Sequence, residues 1–85
     1  MPTIKLYANL RTIAGIKELS IMGTNLGGVL NELVKKVPPL DGVILKNGQI
    51  RPHFVITING HNATKLDAPI TEQDMIAIFP PIAGG

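Results

Sequence analysis

Polar and apolar residues alternate from the start of the chain. In Thr3-Ile4-Lys5-Leu6-Tyr7-Ala8, Ile4 and Leu6 share one face and Thr3, Lys5 and Tyr7 the other, the period of a half-buried strand. Lys17-Glu18-Leu19-Ser20-Ile21-Met22 repeats the pattern with Leu19 and Ile21 inward. Asn9 to Ile16, which includes Gly15, reads as the long loop of an antiparallel hairpin. The period then becomes that of a helix. Leu26, Val29, Leu30, Leu33, Val34 and Val37 fall at i, i+3, i+4, i+7, i+8 and i+11 and form one stripe. Thr24 reads as its N-cap and Pro38-Pro39 as its stop. Gly27 and Gly28 lie in its first turn. Each costs about 1 kcal/mol relative to Ala in a helix interior, so packing must hold this helix.

Further on, Asn47-Gly48 reads as a tight turn between short strands at 43–45 and 49–51. Phe54 to Ile58 is the best interior strand, ended by Asn59-Gly60. A short strand near 63–66, a capped turn over Thr71 to Asp74 and a last strand from Met75 to Phe79 follow. Pro80-Pro81 ends the hydrogen bonding of that strand. The order is strand, strand, helix, strand, short strand, strand, so a single helix must bury its stripe on one face of the sheet. The simplest closure sets the last strand parallel to the first. The expectation is an α+β chain of β-grasp architecture, a mixed sheet packed on one helix. Its domain covers 1–81, with a flexible tail over 82–85.

With 85 residues, 45% apolar and 16% charged, the chain has the composition of one globular domain and not of a disordered segment. The absence of cysteine excludes a disulfide framework, cysteine-bound zinc, an iron–sulfur cluster and a thiol nucleophile. It also fits a reducing compartment. No apolar run approaches membrane-spanning length, and Met1 to Lys5 carry no signal-peptide pattern, so the expected location is cytoplasmic with no membrane partner. The cations behind the net charge of +2 are scattered, whereas nucleic-acid binding wants a clustered stripe. The adjacent pair Lys35-Lys36 falls where the helix should end and complements its dipole.

Little here looks catalytic. His53 and His61 lie eight apart across a turn and read as surface histidines, with no spacing that builds a metal site. Asp67, Glu72 and Asp74 flank turns, where acids bond backbone amides. Gly27-Gly28 lacks the residues of a phosphate loop, and no serine–histidine constellation is present. The expectation is no enzyme on its own and no bound cofactor or metal.

The C-terminus carries the chemistry that remains. Ile82-Ala83-Gly84-Gly85 follow a buried strand and a double proline that stiffens the exit. Four extended residues reach about 13–14 Å. Two glycines can thread a narrow channel and leave the Gly85 carboxylate unhindered in another protein's active site, which suits activation and acyl chemistry. On the last strand, Ile76 and Ile78 should face the helix, with Met75, Ala77 and Phe79 opposite. Tyr7 faces the same way on the neighbouring strand. Two of the three aromatics thus share the face that a lone helix cannot cover, as interface residues do.

Phe79-Pro80-Pro81-Ile82-Ala83-Gly84-Gly85 resembles the Phe-Pro-Pro-Val-x-Gly-Gly terminus of the MoaD family, the small subunits of molybdopterin synthase. Leu6-Tyr7-Ala8-Asn9-Leu10-Arg11 resembles the family's Phe-Ala-x-Leu-Arg stretch, with Tyr7 in place of phenylalanine. Gly48-Gln49-Ile50-Arg51-Pro52 and Asn59-Gly60 resemble its middle. Ala68 to Asp74 resemble its x-Pro-Leu-x-x-Gly-Asp turn, with Gln73 in place of glycine.

The resemblance implies the β-grasp fold and a ubiquitin-like sulfur carrier. A ubiquitin-activating-like adenylyltransferase, using ATP and Mg²⁺, would adenylate Gly85, which then becomes 1-thioglycine. Gly84, Ala83 and Ile82 would thread the tunnel of the molybdopterin synthase large subunit. Phe79, Pro80, Pro81 and Tyr7 would dock, with Arg11 at the polar edge. The sulfur would pass to precursor Z to build the dithiolene of the molybdenum or tungsten cofactor. The runner-up reading keeps the chemistry and changes the acceptor, to tRNA thiolation, thiamine synthesis or a ubiquitin-like protein modifier. A plain interaction domain with inert glycines is the third reading.

Overall fold

The computed structural model describes residues 1–81; the expected tail, 82–85, lies outside the described residues. The elements are β1 (Thr3–Leu6), α1 (Asn9–Ala14), β2 (Glu18–Ser20), α2 (Leu26–Lys36), a 3₁₀ turn (Pro38–Leu40), β3 (Leu45–Lys46), β4 (Gln49–Ile50), β5 (Val55–Ile58), β6 (His61–Asn62) and β7 (Met75–Phe79). Five strands form one sheet in the order β2-β1-β7-β5-β6, and β3 and β4 make a separate hairpin. β1 and β7 run parallel, with Thr3 opposite Met75 and Leu6 opposite Ile78, and the other pairs are antiparallel. A mixed sheet with first and last strands parallel at its centre and a helix across one face is the β-grasp arrangement, an α+β fold.

The core is aliphatic. Ile4, Leu6, Ile56, Ile76 and Ile78 from the sheet meet Leu26, Val29, Leu30 and Leu33 from α2. No polar or charged residue is buried among the described residues. Phe54 is half-buried and packs against this cluster.

Several expectations need correction. Asn9 to Ala14 form a helix, not a loop, so there are two α-helices among the described residues. Fully buried Leu10 anchors α1, and left-handed Gly15 (φ 76°) closes it by donating its N–H to the Arg11 carbonyl at 2.9 Å. The N-cap of α2 is Asn25, not Thr24: its Oδ1 accepts the Gly28 N–H at 2.7 Å. The strand after Asn59-Gly60 is His61–Asn62, not 63–66. The two turn residues have φ of 52° and 84°, a type I′ geometry that joins strands with no residue to spare and sets His61 opposite Ile58. The hairpin strands are likewise displaced or trimmed, to Leu45–Lys46 and Gln49–Ile50, and Tyr7 and Ala8 lie past the end of β1.

The glycine pair in α2 has a packing reason. The segment 66–68 crosses the helix start so closely that a Cβ on Gly27 would meet Leu66 at 3.3 Å. Leu26 and Gly27 donate their N–H groups to the carbonyls of Ala68 and Leu66 at 2.9 and 2.8 Å. With Asn25 taking Gly28, the N–H groups of Leu26, Gly27 and Gly28 are all engaged within the chain.

A polar clamp fixes the other end of the sheet. Asp74 Oδ2 accepts the Thr71 N–H at 2.8 Å, and Oδ1 accepts from Asn59 Nδ2 at 2.9 Å. Asn59 Oδ1 accepts the Met75 N–H at 2.9 Å. Of the acids expected to bond turn amides, Asp74 does so; Asp67 and Glu72 form no such bond among the described residues. The Thr71 amide, and then Asn59, hold the Asp74 carboxyl below its ordinary pKa of 3.8. A carboxyl depressed in the folded state stabilises above its unfolded pKa, and that contribution is lost as pH falls through the folded value. Melting temperature followed from neutral to acid pH should therefore fall through this window in the wild type. In Asp74→Asn it should start lower and lack that step. An identical acid dependence in both would remove Asp74 from the account.

Candidate functional site

The face of the sheet turned from α2 is a set of cross-strand rows fixed by register. One row runs Glu18, Lys5, Ala77, Thr57, Asn62, and is mixed in character. The next row, at the end where β7 finishes, holds Phe79 opposite Val55, with Tyr7 beside Phe79 just beyond β1. Apolar surface is thus concentrated at the root of the tail. Val55 is 46% exposed, which leaves apolar surface open beside Phe79.

The rings of Tyr7 and Phe79 stack with centroids 4.4 Å apart and planes inclined by 17°. The Arg11 guanidinium stands over the Tyr7 ring, 5.1 Å from its centroid. Its Nε donates to the Leu6 carbonyl at 2.7 Å, so the cation is held at the aromatic edge. The placement depends on α1. Ala8 turns the chain from strand to helix with φ 53° and ψ −135°, a conformation costly for a residue with a Cβ. The first turn of α1 then carries Arg11 back over Tyr7.

Tyr7, Ala8, His53, Val55, Phe79, Pro80 and Pro81 line an open groove of about 780 Å³. His53 also has positive φ, 70°, so two strained positions border one groove, as happens where a surface is fixed for binding. The structure brings Tyr7, Arg11, Phe79, Pro80 and Pro81 to one end of the molecule. Ile82, Ala83, Gly84 and Gly85 lie outside the described residues. Ala8, His53 and Val55 escaped sequence reasoning as groove residues. Val55 was recoverable from its register with Phe79, and His53 had no signal, since it depends on the turn at Pro52.

Among the described residues, no group of three or more His, Asp or Glu side chains could hold a metal ion. No helix among them is long and apolar enough to cross a membrane. Ile78 and Phe79 are sequence neighbours on opposite faces, which gives a direct check. Ile78 is fully buried, so Ile78→Ala should cost about 2–5 kcal/mol. Phe79→Ala loses a half-exposed ring and its stacking, about 0.5–1.5 kcal/mol beyond area, and should cost clearly less in urea unfolding. Equal losses would overturn the face assignment.

Comparison with known proteins is consistent with this geometry. A profile of the ThiS family matches residues 4–85. Small archaeal modifier protein 3 of Haloferax volcanii is 28% identical over 88 residues, covering 96% of each chain. The molybdopterin synthase sulfur carrier subunit of Arabidopsis thaliana is 31% identical over 96% of this chain and 80% of that protein. The solution structure of small archaeal modifier protein 1 from Methanosarcina acetivorans superposes with a TM-score of 0.87 at 35% identity, over 99% of this chain and 95% of that one.

Proposed function

The chain belongs to the ThiS family of ubiquitin-like sulfur carriers and modifiers, and on that footing we propose that it carries sulfur as a thiocarboxylate on Gly85. Small proteins of this kind are generally non-catalytic, and the chain's own part is to be held, threaded and released. The observation that carries the reading is the Tyr7–Phe79 stack, edged by Arg11, at the root of the Pro80-Pro81 exit. A partner seated there would have the last four residues within about 13–14 Å of its surface, enough to place Gly85 at a buried reaction centre.

In this proposal an adenylyltransferase uses ATP and Mg²⁺. A Gly85 carboxylate oxygen attacks the α-phosphorus, and pyrophosphate leaves. The terminal sulfur of a persulfide displaces AMP, and a thiol then cleaves the S–S bond to release the thiocarboxylate. The chain has no cysteine, so it neither supplies this sulfur nor forms an internal thioester. The favoured acceptor is precursor Z in a molybdopterin synthase large subunit, in line with the plant relative's name. The two archaeal relatives named as modifiers favour a second reading, in which activated Gly85 acylates a lysine of another protein.

Chemically prepared Gly85 thiocarboxylate, mixed with a molybdopterin synthase large subunit and precursor Z, should yield dithiolene without ATP. The yield should stop when the thiocarboxylate is consumed. A chain extended beyond Gly85 should fold normally and give none. If folded thiocarboxylate fails here, while ATP and the adenylyltransferase attach the chain to lysines, the modifier reading replaces the favoured one.

A further inference from the structure

Pro80 and Pro81 line a second groove as well. It has a volume of about 450 Å³, shares His53 with the first, and is otherwise framed by Asn9, Leu10, Val43, Arg51, Pro52 and Phe54. Its character differs from that of the aromatic groove. Arg51 is anchored at two points: its backbone N–H donates to the Ile44 carbonyl at 2.8 Å, and Nη1 donates to the Gly42 carbonyl at 2.9 Å. The second bond is the side chain's only hydrogen bond among the described residues. A guanidinium has five donors in a rigid fork, so four N–H groups remain on a cation whose direction is already set. The one ion pair among the described residues is Lys35 with Glu32, so no carboxylate among those residues neutralises Arg51. Neither groove is lined by Asp or Glu.

Because the two prolines belong to both grooves, a protein that encloses the chain beyond Pro81 must cover both. One side offers it stacked aromatic rings, the other a pinned, uncompensated cation. We propose that the second groove seats a carboxylate side chain of the activating adenylyltransferase, gripped by Arg51, while an apolar surface of the same partner covers Tyr7 and Phe79. That enzyme is chosen because every acceptor considered for Gly85 requires activation first; the inference rests on the carrier reading. Charge complementarity selects an acidic partner, and planar two-point recognition of a carboxylate is what an oriented guanidinium does best. A nucleic-acid backbone is a poorer occupant, since it calls for a run of cations and the groove is otherwise mostly apolar.

The test uses the full chain and the adenylyltransferase purified from the same organism, with affinity measured by titration calorimetry at low and moderate salt. Arg51→Glu should weaken binding by about tenfold or more, and Arg51→Gln should weaken it less and flatten the salt dependence. Arg51→Lys, which can still reach the Gly42 carbonyl, should retain part of the affinity. Lys46→Glu makes the same charge change outside both grooves and should leave affinity near that of the wild type. Melting temperatures verify that each variant is folded. Equal losses in Arg51→Glu and Lys46→Glu, or unchanged affinity in every folded Arg51 variant, would overturn the proposal. ATP–pyrophosphate exchange separates the two levels. If the wild type neither binds nor supports exchange, the carrier reading falls and this proposal with it. If it supports exchange and Arg51 is indifferent, only this proposal fails.

Discussion

The parallel pairing of β1 with β7 is the constraint on which the rest depends. It joins the ends of the chain's folded part at the centre of the sheet, with Leu6 set against Ile78. Inward, this register stacks Ile4, Leu6, Ile76 and Ile78 beneath α2. Outward, it leaves Tyr7 beside Phe79, where the rings meet at 4.4 Å. A register slip of one residue would turn the buried isoleucines outward and separate the aromatics. One pairing thus serves both the core and the surface from which the tail departs.

The two ends of the sheet are held by different chemistry. At the start of β7, Asp74 and Asn59 hold the backbone by directional hydrogen bonds, on the surface and within reach of solvent. At its end, hydrogen bonding gives way to ring stacking, a cation and two prolines. The strand is therefore anchored before it reaches Pro80 and Pro81, so the proposed docking surface sits on a rigid element, as precise positioning of a reactive group requires. Catalytic groups are not needed at this end if the partner supplies them.

Much of this was legible in the sequence, because long periodic segments state their faces. The stripe Leu26 to Val37, the alternation in Met75 to Phe79 and the Asn47-Gly48 turn carry clear signals, and the shared face of Tyr7 and Phe79 follows from period two once the first and last strands are paired. What escaped was short or set by tertiary contact. Helix α1 has six residues and one buried anchor, too little for a helical period to be read, yet it positions Arg11. Asn25 and Thr24 are both capping types, and Asn25, the stronger of the two by type, caps the helix. The grooves around Pro80 draw Asn9, Arg51 and His53 from distant parts of the chain, and Ala8 and His53 adopt backbone angles that no residue type announces.

The central claim is that Gly85 carries sulfur, and intact mass spectrometry of the protein recovered from its native cell tests it most directly. The account predicts a fraction heavier by the difference between sulfur and oxygen, with fragmentation placing the added mass on Gly85 and alkylation confirming a thiocarboxylate. A population carrying only an unmodified carboxylate at Gly85, from cells in which the activating enzyme is present and sulfur is plentiful, would contradict it.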